Sequence, residues 1–189
     1  MTLHLDLLRH GETECGGGFR GSLDDALTAA GRAQMQAATT AAGPWDLVVS
    51  SPLRRCAGFA AELAAAHDLP LQLEADLREL HFGAWEGRSA AALMQTDAEA
   101  LGRFWNDPYA FTPPDGEPLA AFETRVLQAV EQLRRDCAGR RLLLVSHGGV
   151  MRLLLARARG LPRGALLQVT VAHGALHRLR LDGSNWQEL

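Results

Sequence analysis

The chain has 189 residues, 47% of them hydrophobic, and a formal net charge of −3. This length suits one domain, residues 1–189, with a full core. The charge excludes a global attraction to nucleic acid or an anionic membrane, and no run of about 20 uncharged apolar residues is present to span one.

All 19 basic residues are Arg, each a planar fork suited to carboxylate or phosphate. Cys15, Cys56 and Cys137 are odd in number and widely spaced, so no disulfide framework or CxxC site is expected. No charged-then-apolar leader opens the chain. A cytoplasmic location is the default expectation.

Residues 3–8 form a short apolar run, read as the first strand. A Gly-rich loop follows. Thr28 then caps a helix over AAGRAQMQAATTAA, ending near Gly43-Pro44. DLVVS, residues 46–50, is the second strand. Ser51 and Pro52 read as N-cap and first residue of a helix over LRRCAGFAAELAAAH. Residues 71–73 are a short strand candidate. A helix is predicted near 89–106, then a loop through PPDGEP, then a helix over 119–137 with Phe122, Val126, Val130 and Leu133 on one face. RLLLVS, residues 141–146, is the most buried-looking strand, followed by HGGV and the helix MRLLLARARG. LLQVTVAHGALHRLRL reads as two alternating runs around His173-Gly174, a hairpin or a strand-loop-strand. Strands alternating with helices predict an α/β fold: three layers, a mostly parallel central sheet, and helices on both faces.

Three strands end alike: Leu8-Arg9-His10-Gly11, Ser50-Ser51-Pro52-Leu53-Arg54-Arg55 and Ser146-His147-Gly148-Gly149. Ligands in open α/β sheets bind outside the carboxyl ends of the strands. His10, Arg54 and His147 would therefore converge on an anion, with two helix N-termini adding free N–H groups. Any one His alone is more often a satisfied polar residue; three matching strand ends argue otherwise. Glu79, among apolar residues in LRELHFGAWEG, is either an acid near neutral pH or an ordinary partner of an Arg.

LLRHGET, LTxxGxxQ, SSPLRR, RELHFGAWEG and VSHGG, in this order and spacing, resemble the histidine phosphatase superfamily, which includes phosphoglycerate mutases and many phosphatases. Compact length, FGAWEG and FWNDPYAFTPPDGEPLAAFETRV are most similar to its α-ribazole phosphatase group, which serves cobalamin biosynthesis. The resemblance implies a phosphoglycerate mutase-like fold and a metal-independent phosphomonoesterase without a cofactor, acting on a small phosphorylated substrate as a monomer or homodimer. By similarity, His10 is the nucleophile that forms a phosphohistidine. Arg9 and Arg54 hold the phosphoryl oxygens, and His147 donates to them or stabilises the transferring group. Glu79 protonates the leaving alkoxide and then serves as base for water.

Gly148 and Gly149 either add amide contacts to phosphate or let their helix pack close to the sheet, and Glu117 would orient part of the site. The family often carries Asn seven residues after the first His, where this chain has Gly17; the amides of residues 16–18 or the guanidinium of Arg20 would replace it. Trp105, Tyr109 and Phe111 stack on a substrate or, more simply, cap the core. Other readings are a broad phosphatase, a phosphoglycerate mutase, which would carry a longer insert after the RELHFG-like segment, and a non-catalytic phosphate-binding module.

Overall fold

The structure, a computed structural model, describes residues 2–189. Six strands form one sheet in the order β3-β2-β4-β1-β5-β6. They are β1 (Thr2–Arg9), β2 (Leu47–Ser50), β3 (Leu71–Leu73), β4 (Arg141–Ser146), β5 (Leu176–Asp182) and β6 (Asn185–Glu188). β3, β2, β4 and β1 run parallel, whereas β5 pairs antiparallel with β1 and β6 antiparallel with β5. The sheet is therefore mixed, and the expectation of a mostly parallel one holds only for its first four strands.

Side chains alternate across the sheet as a period of two requires. Leu3, Leu5 and Leu7 of β1 and Leu142 and Leu144 of β4 face one core with the helices α5 (Leu119–Asp136) and α6 (Gly148–Ala158). Leu8, Val48, Leu143 and Val145 face the other, with Met35 of α1 (Ala29–Thr40) and Phe59 and Leu63 of α2 (Arg54–Ala66). β4 is central and covered on both faces, which is why RLLLVS is a continuous apolar run rather than an alternating one. Asp6, 2% exposed in β1, is charge-paired with Arg141 at 2.9 Å and accepts from the Trp45 indole at 3.0 Å.

Thr28 caps α1 as expected, its hydroxyl accepting from the Gly31 amide at 2.9 Å. Ser51-Pro52 does not open α2. The helix begins at Arg54 behind Leu53, and Ser51 Oγ accepts from the Leu53 amide at 3.4 Å. The helix predicted over 89–106 is two, α3 (Ala90–Thr96) and α4 (Ala98–Asn106), broken at Asp97. The hairpin turn is not at His173-Gly174. It lies between β5 and β6 at Gly183, where φ is +60°, while residues 163–168 form a 3-10 turn. The Asp182-Gly183 pair is the turn signal that locates it.

Candidate active site

The carboxyl ends of β1, β2 and β4 meet on one edge. The His10 amide donates to the Ser146 carbonyl at 3.0 Å and the Ser51 amide to that of Val145 at 3.0 Å, which stitches the three strand ends together. Gly11 permits the approach of α1: a Cβ there would lie 2.0 Å from the Gly31 carbonyl oxygen.

His10 is 7% exposed. Its Nδ1 lies 2.8 Å from the Gly11 carbonyl, an acceptor only, so Nδ1 carries the proton and donates, and Nε2 keeps its lone pair. Burial, reinforced by Arg55 and Arg9, pushes its pKa down to about 3. The ring is neutral in the physiological range and nucleophilic at Nε2.

His147 is fully buried, its ring centroid 5.3 Å from that of His10. Arg55 Nε–H donates to its Nδ1 at 3.3 Å, so its proton resides on Nε2 and is donated to Ser51 Oγ at 2.7 Å. Burial and the neighbouring Arg55 hold its pKa well below the ordinary value.

The cation beside these rings is Arg55, not Arg54. The inward stripe of α2 is Arg55, Cys56, Phe59, Ala60, Leu63 and Ala64; Arg54, one residue earlier, is turned outward and exposed. Arg55 is 0% exposed and donates to the Leu23 and Gly21 carbonyls at 2.5 and 2.9 Å, with Asp25 at 3.6 Å. The carbonyls that receive it belong to a loop held in turn by Glu86, whose carboxylate accepts from the amides of Gly21, Ser22 and Leu23. The apolar stripe was the signal for Arg55; Glu86 and Asp25 carried none on their own.

Arg9 donates through Nη1 to the Val171 carbonyl at 2.6 Å, and its buried Nε has no partner among the described residues. Burial lowers its pKa. Gly148, the first residue of α6, faces it: a Cβ there would lie 3.2 Å from Arg9 Nε. Gly149, the second, faces Glu79. Its amide donates to Glu79 Oε2 at 2.9 Å, and the Leu80 amide donates to Oε1 at 2.9 Å. The positive end of α6 thus sits between Arg9 and the Glu79 carboxylate.

Arg20 does not join this group. Its guanidinium is drawn to Asp25 at 2.7 Å and to the Cys15 carbonyl at 2.6 Å, bracing its own loop through the nearest carboxylate. The glycines at 16–18 are exposed; the Gly16 amide closes a turn on the Thr13 carbonyl at 3.1 Å. His173, which sequence reasoning took only for a turn, stands 5.6 Å from the His10 ring, and burial and Arg9 lower its pKa.

Next to Glu79 opens a cavity of about 280 Å³ lined by Phe19, Phe82, Phe104, Trp105 and Phe122, with Arg152 as its cation. Of the three aromatics singled out from sequence, only Trp105 lines it. Phe111 stacks on Trp85 at 5.7 Å, and Tyr109 lies under the Arg163 guanidinium. The arrangement can hold an anion between two guanidiniums and a helix N-terminus, offer it an unprotonated imidazole nitrogen, and meet the departing group with a carboxyl.

The sequence profile of the histidine phosphatase superfamily (branch 1) matches residues 5–189. The adenosylcobalamin/alpha-ribazole phosphatase of Escherichia coli (strain K12) is 36% identical over 176 residues, 91% of this chain and 87% of that protein. The glucosyl-3-phosphoglycerate phosphatase of Mycolicibacterium vanbaalenii is 36% identical over 171 residues, 84% of this chain and 75% of that protein. The crystal structure of the alpha-ribazole phosphatase from Shigella flexneri superposes with a TM-score of 0.86 at 33% identity, covering 98% of this chain and 94% of that one. With this match over nearly its whole length, the chain belongs to the histidine phosphatase superfamily and is a phosphatase.

Proposed function

We propose that this chain is a single catalytic domain, residues 1–189, that hydrolyses α-ribazole 5′-phosphate through a phosphohistidine on His10, without a metal. Arg9, Arg55 and the N-terminus of α6 at Gly148 hold the phosphoryl oxygens. His10 Nε2 attacks phosphorus, the ester P–O bond breaks, and its electron pair leaves on the alkoxide, which takes a proton from Glu79. Water then adds to phosphorus as Glu79 accepts its proton, the N–P bond breaks, and neutral His10 returns. His147, neutral, accepts from Arg55 at Nδ1 and gives its one proton to Ser51 Oγ, so it orients Arg55 beside His10 and adds no charge. Free cysteines and the lack, among the described residues, of a helix long and apolar enough to cross a membrane support a cytoplasmic setting.

The observation that carries the substrate is the aromatic cavity opening from Glu79, the place a leaving group must occupy. Five aromatic rings and Leu119, Leu166 and Leu167 suit a flat apolar base joined to a sugar. One observation favours a second reading. Arg152 donates through Nε to the Val169 carbonyl at 3.0 Å, and its Nη groups have no hydrogen-bond partner among the described residues. A carboxylate beside the ester, as in a phosphoglycerate-type substrate, would take them.

The deciding experiment measures kcat/KM, in the presence of a chelator, for α-ribazole 5′-phosphate, glucosyl-3-phosphoglycerate, 3-phosphoglycerate and a set of nucleotides. A preference for α-ribazole 5′-phosphate by orders of magnitude is expected; the same preference for either glycerate ester would replace it with the second reading. Acid quench with labelled substrate should trap a phosphoenzyme that is lost in His10→Ala.

A further inference from the structure

Arg125 projects from α5 beside the stretch that carries Glu79, and every N–H of its guanidinium is engaged. Nε donates to Glu117 Oε1 at 2.7 Å and Nη2 to Glu117 Oε2 at 2.8 Å. Nη1 donates to the Asp76 and Arg78 carbonyls at 2.7 and 2.8 Å, and Nη2 to that of Glu79 at 3.0 Å. The five donors of an Arg are thereby all used, and its Cζ lies 4.8 Å from the centroid of the Phe122 ring. Glu117 continues the grip on the far side of Glu79: its amide donates to the His81 carbonyl at 2.8 Å, and the His81 amide to its Oε2 at 3.4 Å. No strand fixes this stretch; apart from the 3-10 turn at 75–77 and the Ser146 hydroxyl on the Leu77 carbonyl at 2.9 Å, it is this ion pair that grips residues 76, 78, 79 and 81.

We propose that Arg125 and Glu117 are positioning residues that set the Glu79 carboxyl at the leaving-group oxygen. With no N–H left over, Arg125 has nothing to offer a phosphate. Its function is to immobilise the backbone that carries the acid, while the Leu80 and Gly149 amides fix the carboxylate itself. A bidentate fork is required; the single ammonium of Lys cannot replace five directed donors. The inference rests on the reading of Glu79 as the general acid. Its consequence is selective. A leaving group that departs as a stable anion needs no proton, whereas a poor one does, so loosening the clamp slows only the latter.

The test is rapid-quench measurement of phosphoenzyme formation from p-nitrophenyl phosphate and from phenyl phosphate, in the wild type and in Glu79→Gln, Arg125→Lys and Glu117→Gln. A displacement of the acid by about 1 Å is worth about 10²-fold. Arg125→Lys and Glu117→Gln should therefore lose about 10- to 100-fold on phenyl phosphate and under about threefold on p-nitrophenyl phosphate, the same direction as Glu79→Gln. Equal losses on both substrates in the two clamp variants, or no loss on either, would overturn the clamp if Glu79→Gln alone discriminates. If Glu79→Gln fails to discriminate, the assignment of the acid falls and the clamp with it.

Discussion

The Gly149 amide donates to Glu79 Oε2 at 2.9 Å, and a Cβ at Gly149 would lie 2.2 Å from Glu79 Oε1. Helix α6 and the acid thus share a space that only a residue without a side chain leaves open. Gly149 lies inside the first turn of α6 and has no positive φ, so Ala suits its backbone and gains about 1 kcal/mol of helix propensity. The methyl would instead push the flexible carboxylate aside. Gly149→Ala should keep its thermal midpoint within a few degrees while kcat falls about 10²-fold. A variant that unfolds, or one that turns over normally, would show that the contact is not what keeps Gly149 there.

Arg54 and Arg55 are adjacent in sequence and about 100° apart on α2, and the two predictions divide accordingly. Arg54→Ala removes an exposed side chain and should leave kcat/KM within about twofold, as surface changes do. Arg55→Ala removes a buried guanidinium from the proposed phosphoryl site, from His147 Nδ1 and from two loop carbonyls. A loss of about 10²–10³ in kcat is expected from one electrostatic donor, together with a lowered thermal midpoint from the unpaired carbonyls. Arg55→Lys should recover little, since the fork is used in several directions. Parallel kinetics on both alanine variants decide between the two residues.

Sequence periodicity located β1, β4 and α1 closely because each carries its own signal: a two-residue alternation, a continuous apolar run, and a Thr cap followed by Ala. His10, Arg9, His147 and Glu79 were legible because they stand at strand ends or in an apolar segment. Arg54 and Arg55 are chemically identical neighbours, and only the stripe Cys56, Phe59, Ala60 and Leu63 fixes which of them points inward, which is why Arg55 and not Arg54 stands beside the histidines. Arg20 stays out of the site for a different reason. Its partner, Asp25, is close in sequence but meets it only through the fold of the loop, and a cation with a carboxylate at 2.7 Å is committed before any ligand arrives. The grips of Arg125 on the carbonyls at 76, 78 and 79, and of Glu86 on the amides at 21–23, join a side chain to backbone more than 45 residues away, for which no local pattern exists.

The cavity beside Glu79 has an aromatic wall and a cationic one, and they can be removed separately. Trp105 is 48% exposed at its rim, so Trp105→Ala should fold normally and raise KM for an aromatic leaving group about tenfold, the worth of one ring contact, with no change for glycerol phosphate. Arg152→Met keeps much of the bulk and removes the charge. If the leaving group is the flat apolar one, its KM changes little; if it is a carboxylate, KM rises by tenfold or more. A Trp105→Ala variant with unaltered KM for α-ribazole 5′-phosphate would remove the cavity as its binding place.

Burial of neutral imidazoles ties stability to pH in one direction. The pKa of His10 falls from 6.5 in the unfolded chain to about 3 in the folded one. Between those values the unfolded state binds a proton that the folded state refuses, so stability is complete above about pH 6.5 and declines as the pH drops toward 3. The slope is at most about 1.4 kcal/mol per pH unit for one histidine, and buried His147 adds to it in the same sense. His173 is lowered in the same sense, and His10→Asn removes one of the three sites. Urea midpoints at pH 7, 6 and 5 should fall more steeply for the wild type than for His10→Asn, and the two lines should run parallel above pH 7. Parallel decline below pH 6.5 would mean that His10 takes up its proton in the folded protein as readily as in the unfolded one, and the neutral nucleophile would lose its basis.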